Sequence, residues 1–191
     1  MEYLIIIIGA ILVNNVVLVQ FLGICPFLGV SNKVSTALGM AAAVVFVMAL
    51  ATTVTFLLQI MVLVPLKIEF LQTLVFILVI AALVQMVELI LKKVSQPLYQ
   101  ALGVYLPLIT TNCAILGVAV LVTRQGYTLL QSVTYAVGIA IGFGFALTIF
   151  AGIREQMDLQ DIPEAMKGAP IALVTAGLLS LAFMGFSGMI K

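Results

Sequence analysis

The sequence contains no histidine and no tryptophan, and only two of its 191 residues are cysteine. Without histidine, the chain has no imidazole for acid–base catalysis or for binding a metal ion. Charged residues make up 8% of the chain, compared with about 25% in an average soluble domain. So little charge cannot cover a water-facing surface, which excludes a soluble enzyme, a disordered chain and a disulfide-rich scaffold. The net charge of +1 also excludes a basic surface for nucleic acid.

Apolar sequence is abundant, since 64% of the residues are hydrophobic and the mean hydropathy is +1.35. A membrane-spanning helix needs about 20 predominantly apolar residues. Continuous apolar runs are typical of helices and differ from the alternating pattern of a transmembrane barrel. We therefore predict an all-α integral membrane protein in the lipid bilayer, with six transmembrane helices at about residues 3–23, 37–64, 70–91, 101–122, 129–151 and 170–190.

Basic residues are distributed unequally between the two sides of this bundle. The segments after the first, third and fifth helices hold five of them, and the opposite side holds three. The positive-inside rule then predicts that both termini lie on the external side. The amino-terminal stretch lacks a basic region and a small-residue cleavage site, so we expect it to be retained as a span. The five basic residues are Lys33, Lys92, Lys93, Arg154 and Lys167.

The two cysteines head two copies of one motif, C-x-x-L-G-V. One copy begins at Cys25 and the other at Cys113, which is 113 − 25 = 88 residues later and close to half the chain. The spacing predicts a single membrane domain, residues 1–191, made of two repeats at about 1–98 and 99–191. Because each repeat holds three spans, the second is inverted relative to the first. Sites in such proteins lie near the membrane midplane, where the repeats meet.

The residues around both cysteines predict distorted helices. Gly23 and Pro26 flank Cys25, and Pro107 precedes Cys113 by six residues. Proline removes a backbone donor and blocks the preceding turn of a helix. Irregular backbone at membrane depth survives only where protein or a cavity surrounds it. We therefore expect both cysteines inside the bundle or at a protein interface rather than against lipid.

Several polar residues accompany these distortions. Their side chains are expected to hydrogen-bond across helices or to cap a broken helix, although their oxygens could equally bind a hard cation such as Na⁺. The residues concerned are Asn14, Asn15, Gln20, Thr110, Thr111 and Asn112.

The residues alone leave three roles open for the thiols of Cys25 and Cys113. A buried cysteine often serves as a small hydrophobic residue. A disulfide inside the bilayer is the second possibility. Metal binding is the third, because a [2Fe–2S] cluster takes four thiolates and this chain has two, so that a homologous subunit would supply the others.

Three segments carry a resemblance to a known family. Residues 21–31 and 106–117, which contain the two cysteine motifs, resemble the paired signatures of the RnfA/NqrE family. The carboxy-terminal run at 172–188 resembles it as well, so the likeness covers essentially the whole chain. Pro26 after the first cysteine, and the Thr-Thr pair before Asn112, are more similar to the Rnf members than to NqrE of the sodium-pumping NADH:quinone reductase.

This resemblance implies a membrane subunit of the Rnf complex, in the bacterial cytoplasmic (inner) membrane. That complex couples electron transfer between ferredoxin and NAD to Na⁺ or H⁺ translocation. The chain would be a non-autonomous subunit with no catalytic residues of its own. The expected partners are a homologous, oppositely inserted RnfE-like subunit, together with the other Rnf subunits of the B, C, D and G types.

The resemblance also assigns roles to individual residues. It implies that Cys25 and Cys113 ligate a [2Fe–2S] cluster shared between the two homologous subunits, two cysteines coming from each. The residues expected to support these ligands are Asn112, Thr111, Gly117 and Gly29.

Three alternative functions compete with this interpretation. The first is an NqrE-type subunit of the sodium-pumping reductase. The second is a secondary transporter, because inverted repeats with broken helices also suit alternating access. The third is a structural subunit with inert cysteines. An iron–sulfur signal that depends on both cysteines would favour an electron-transferring subunit, whereas substrate flux through the chain alone would favour a transporter.

Overall fold

The computed structural model describes residues 6–94, 106–160, 163 and 166–185. Its secondary structure is helical, and this part of the chain contains no β-strand. We number eight helices in chain order: α1 (Gly9–Val13), α2 (Ile24–Gly29), α3 (Val34–Leu66), α4 (Gln72–Val94), α5 (Leu106–Thr110), α6 (Cys113–Gln125), α7 (Leu129–Met157) and α8 (Ala169–Met184).

Four helical segments are long and apolar enough to cross a membrane. They are α3, α4, the combined segment Pro107–Gln125 of α5 and α6, and α7. The longest, α3 with 33 residues, measures about 50 Å at about 1.5 Å per residue. That length exceeds the roughly 30 Å hydrocarbon core of a bilayer. The apolar α8 has only 16 residues in the described part of the chain. The chain is thus a multi-pass, all-helical membrane protein.

The first predicted span, residues 3–23, is not one continuous helix, so that prediction was wrong. Within this predicted span, the helix ends at Val13 with α1. Residues 16–20 form turns instead. The physical reason is Asn15. Its Oδ1 accepts hydrogen bonds from the backbone N–H groups of Val17 at 3.1 Å and Leu18 at 3.3 Å, while its Nδ2 donates to the Gly142 carbonyl at 2.9 Å. These bonds satisfy backbone groups in a non-helical segment, as predicted for this amide.

The second, third and fifth predicted spans correspond to α3, α4 and α7. The fourth is interrupted at residues 111–112, between α5 and α6, and its first five residues lie outside the described residues. Residues 186–190 of the sixth span, residues 3–5 of the first, both chain termini and the predicted repeat boundary at 98/99 also lie outside them. The predictions for those positions stay predictions.

Helices α3 and α7 form the centre of the bundle and pack against each other. Glycines on α7 allow its neighbours to approach closely. A Cβ at Gly144 would lie 2.7 Å from the Ala41 Cβ on α3. A Cβ at Gly142 would lie 3.0 Å from the Ile11 Cα and 3.1 Å from the Ile11 carbonyl oxygen on α1. The backbone of α1 is therefore held directly against α7.

The carboxy-terminal end of α7 anchors α2. The Arg154 Nη1 donates one hydrogen bond to the Leu28 carbonyl and one to the Ser31 Oγ, both at 2.8 Å. Leu28 is among the last residues of α2, whose final carbonyls have no partner within the helix. A guanidinium at this end also interacts favourably with the helix dipole. Arg154 thereby fixes one end of the short helix that carries Cys25.

Two further contacts connect the same end of α7 to α2 and α3. The ring of Phe150 stacks on Phe27 of α2, with a centroid separation of 4.3 Å. The Glu155 Oε1 accepts a hydrogen bond from the Val34 backbone N–H, at the start of α3, at 3.0 Å. Together with Arg154, these contacts position the segment between α2 and α3.

Replacing Gly142 with valine is expected to lower the stability of the purified protein by about 1–3 kcal/mol, because the new side chain collides with the α1 backbone. Thermal unfolding of the solubilised protein measures the effect. Gly177→Val is the matched control, since a Cβ at Gly177 meets nothing within 4 Å. Equal losses in both variants would contradict the close contact between α1 and α7.

Replacing Arg154 with glutamine is expected to cost about 1–3 kcal/mol, because it weakens charge-assisted hydrogen bonds to two oxygens. The apparent melting temperature should fall accordingly. Lys167→Gln is the control, because it removes the same charge from an exposed residue near Arg154. An unchanged melting temperature in the Arg154 variant would show that this anchor contributes nothing.

Candidate functional site

The segment before Cys25 makes a sharp turn at Gly23. Gly23 has φ +80° and ψ +24°, in the left-handed region that favours glycine. A Cβ at this position would lie 2.9 Å from a ring carbon of Phe143 and 3.2 Å from the Ala114 Cβ. Both the backbone conformation and the close packing therefore require glycine. Helix α2 begins at the next residue and places Cys25 in its first turn.

Cys113 occupies the equivalent place at the start of α6. Asn112 is the N-cap of that helix, and its Oδ1 accepts a hydrogen bond from the Ala114 N–H at 3.0 Å. Such a cap satisfies one of the donors that a helix start leaves unpaired. Helix α5 ends at Thr110, and helical conformation resumes at Cys113. The expected interruption of a helix beside each cysteine is therefore present.

The two cysteine-bearing segments meet in space. The Gly23 backbone N–H donates a hydrogen bond to the Cys113 Sγ at 2.9 Å, across 90 residues of sequence. Gly23 lies only two residues before Cys25, so this contact brings the first motif to the second. The contact was not predicted, although the glycine was noted as part of a distorted helix. No pattern in the sequence indicates which backbone group approaches a particular thiol.

Four residues were predicted to support the cysteines, and two of them are glycines at the contact between the two motifs. A Cβ at Gly117 would lie 2.6 Å from the Leu22 Cδ1, and one at Gly29 would lie 3.4 Å from the Leu108 Cδ1. Each motif glycine therefore faces a leucine from the segment of the other motif. The third predicted residue, Thr111, is exposed, and its hydroxyl donates to the Pro107 carbonyl at 2.9 Å.

The fourth predicted residue, Asn112, is 3% exposed. Its Nδ2 has no hydrogen-bond partner in the described part of the chain, although it is buried. Buried polar groups in proteins are normally paired, so an unpaired amide needs an explanation. The amide belongs to the residue that precedes Cys113, and its Nδ2 remains free to donate a hydrogen bond.

Both cysteines are free and exposed. Neither thiol is buried within this chain, so of the roles left open by the sequence, the buried small hydrophobic residue is the one that this exposure does not favour. Each cysteine lies in the first turn of its helix and is exposed, although Gly23 and Asn112, the residues that precede the two helices, are buried. Of the two places expected for the cysteines, a protein interface is the one that agrees with this exposure. No disulfide joins the two cysteines.

The donor set fits half of an iron–sulfur site. Thiolates are the ligands that such clusters prefer, and a [2Fe–2S] cluster takes four of them. The chain has two cysteines, and its structure brings their segments together at an exposed surface. The Gly23 N–H, which donates to the Cys113 Sγ, is a hydrogen-bond donor of the kind that surrounds ligating sulfur. Among the described residues, no three Cys, Asp or Glu side chains converge as a metal site.

Arg154 is a positioning residue that was not predicted from the sequence to belong to the site. In the sequence it is only one of the basic residues on one side of the membrane. Its contacts with Leu28 and Ser31 span more than 120 residues of sequence. No local pattern predicts them, because they depend on how α7 packs against α2.

Comparison with known proteins identifies the family. The family described as "Rnf-Nqr subunit, membrane protein" matches residues 3–190. The A-type subunit of the ion-translocating oxidoreductase complex of Syntrophotalea carbinolica is 60% identical over 187 residues, covering 98% of this chain and 97% of the relative.

Two other relatives are similar to this chain over nearly its whole length. The A-type subunit of the Na(+)-translocating ferredoxin:NAD(+) oxidoreductase complex of Acetobacterium woodii is 58% identical, covering 99% of this chain and 98% of the relative. The A-type subunit of the ion-translocating oxidoreductase complex of Pasteurella multocida is 54% identical, covering 100% of this chain and 99% of the relative. The resemblance predicted from the cysteine motifs is confirmed, and the chain belongs to the Rnf-Nqr family of membrane subunits.

Proposed function

We propose that this chain is the A-type subunit of an Rnf-type ion-translocating oxidoreductase complex. Such a complex couples electron transfer between ferredoxin and NAD to the movement of Na⁺ or H⁺ across the membrane. The observation that carries the proposal is full-length identity of 52–60% to subunits with that name. The names favour this subunit over an NqrE-type subunit. The chain is a non-autonomous part of the translocase, and the remaining subunits complete it.

Within this complex, Cys25 and Cys113 provide one half of a [2Fe–2S] site. Two observations support this assignment: the hydrogen bond from Gly23 to Cys113 joins the two motifs, and both thiols are exposed. A surface with two thiols requires a second pair from another subunit to reach four ligands. The partner is a homologous RnfE-like subunit that presents its own cysteine pair. When bound, such a cluster accepts and donates single electrons within the membrane.

The residues around the thiols hold them in place and stabilise negative charge on the sulfur atoms. The Gly23 N–H donates to the Cys113 Sγ and thereby stabilises negative charge on that sulfur. Asn112 caps α6 with its Oδ1 and leaves its Nδ2 as a second donor beside the site. Arg154 holds the end of the helix that carries Cys25. Hydrogen bonds to ligating sulfurs favour the reduced state, because they offset the added negative charge.

The chain adopts six membrane spans in two inverted repeats, with the helices interrupted at the cysteines. The reciprocal contacts of Gly29 with Leu108 and of Gly117 with Leu22 support this arrangement, because the two glycines hold the same place in the two motifs. A pseudo-two-fold axis between the repeats would place the two motif glycines in equivalent positions, each facing the segment of the other motif. The subunit lies in the cytoplasmic membrane with both termini external, and B, C, D and G-type subunits complete the complex.

Replacing either cysteine with serine is expected to remove the [2Fe–2S] cluster from the complex, because a hydroxyl does not replace a thiolate ligand at this site. Iron and acid-labile sulfide should each fall by about two per complex, and one EPR signal should disappear. Ser35→Ala is a control that changes an exposed residue near the first motif and keeps both thiols. Unchanged iron and sulfide in fully assembled Cys25→Ser and Cys113→Ser complexes would exclude cluster ligation. Substrate flux by the reconstituted chain alone would instead indicate a transporter.

Replacing Asn112 with serine is expected to lower the midpoint potential of the cluster signal. Serine retains a capping oxygen for α6 but removes the Nδ2 donor beside Cys113. A redox titration monitored by EPR measures the shift. Asn14→Ser is the matched control, because it makes the same chemical change at an exposed residue outside the two motifs. An equal shift in both variants, or none in the Asn112 variant, would contradict a role for this amide at the cluster.

A further inference from the structure

A cleft of about 470 Å³ opens where α3, α4 and α6 end or begin. One wall is apolar and includes Phe56, Ile60 and Val64 from the last turns of α3. Ile60 and Val64 are about half exposed, so this wall continues onto the outer surface of the helix. The cleft lies away from the cysteine motifs, and the proposed electron transfer assigns no role to it.

The other side of the cleft is polar. Gln59 projects from α3 where that helix changes to a π-helical segment, Gln59–Leu63. Such segments insert an extra residue into a turn and occur frequently at functional sites. Gln72 enters from the first turn of α4, and Arg124 and Tyr127 enter from the end of α6 and the residues after it.

Two of these side chains have buried polar atoms without partners in the described part of the chain. Gln59 is 8% exposed, and its Oε1 accepts no hydrogen bond. The Nε2 of Gln72 is also buried and donates to no acceptor. A buried unpaired donor or acceptor costs roughly 1–3 kcal/mol, so pairs of such atoms in one cleft are unusual without a ligand. The cleft thus offers one free acceptor and one free donor to a bound molecule.

The charge of the cleft and its level in the membrane restrict the chemical class of the ligand. Arg124 provides a guanidinium, which binds phosphate oxygens with paired hydrogen bonds. None of the lining residues in the described part of the chain is acidic. Because three apolar helices end here, the cleft lies at the level where lipid head groups meet the hydrocarbon core. The ligand therefore combines an anionic head group with an apolar tail.

We propose that this cleft binds an anionic phospholipid whose head group carries a hydroxyl, as phosphatidylglycerol does. Arg124 and the Gln72 Nε2 donate hydrogen bonds to the phosphate. The Gln59 Oε1 accepts a hydrogen bond from the head-group hydroxyl. Ile60 and Val64 contact an acyl chain along the outer face of α3. A zwitterionic lipid without a hydroxyl, such as phosphatidylcholine, would leave the amide oxygen unpaired and place a second cation near Arg124.

The test measures lipid retention by the whole purified complex. The complex is delipidated, incubated in detergent with equimolar phosphatidylglycerol and phosphatidylcholine, and examined by native mass spectrometry. Wild-type complex is expected to retain phosphatidylglycerol selectively. Arg124→Gln should retain at least about tenfold less, because one charge-assisted contact accounts for a factor of this size. Lys67→Gln is the matched control, since Lys67 lies at the same end of α3 but outside the cleft.

Each remaining outcome has a defined meaning. Equal retention in wild-type and Arg124→Gln complexes would overturn the proposal, and so would an equal loss in Lys67→Gln, which would indicate diffuse attraction. Displacement of the lipid by millimolar inorganic phosphate would assign the cleft to a soluble anion and overturn the lipid proposal. If Arg124→Gln does not assemble, Gln72→Leu tests the same site with the charge intact, and unchanged lipid selectivity in that variant would overturn the proposal.

Discussion

The hydrogen bond from the Gly23 backbone to the Cys113 sulfur is the contact on which the candidate site depends. It joins two segments that are 90 residues apart, and it forms only because Gly23 adopts a left-handed conformation close to Phe143 and Ala114. A side chain at Gly23 would separate the two motifs. The same turn starts the helix that presents Cys25 at the surface. One backbone conformation therefore positions both thiols.

Irregular backbone inside a membrane requires internal partners, because lipid offers none. Three polar side chains supply them here. Asn15 donates to the Gly142 carbonyl and accepts from the turn after α1, Asn112 caps α6, and Arg154 donates to the Leu28 carbonyl near the end of α2. Two of these three contacts involve α7, the longest regular α-helix of the bundle. This helix supports the irregular segments that form the site, and its glycines let those segments approach.

Hydropathy predicted the membrane-spanning helices correctly where the helix is continuous and failed where a polar side chain interrupts it. Apolar runs identified α3, α4 and α7 because each of those segments is one unbroken helix. The run at residues 3–23 is equally apolar, but hydropathy does not register that the side chain of Asn15 can replace helical hydrogen bonds. The distortions around the cysteines predicted a place inside the bundle or at a protein interface, and composition could not choose between the two. The exposure of both thiols in this chain favours the interface.

The sequence by itself determined the membrane character, the family and the identity of the two cysteines, because composition and motif spacing carry that information directly. Only the tertiary structure decided that the motifs meet, that Arg154 anchors one of them and that Gln59 and Gln72 face one cleft. These contacts join residues from separate helices. The relative placement of those helices depends on side-chain packing along their whole length, which no local pattern encodes.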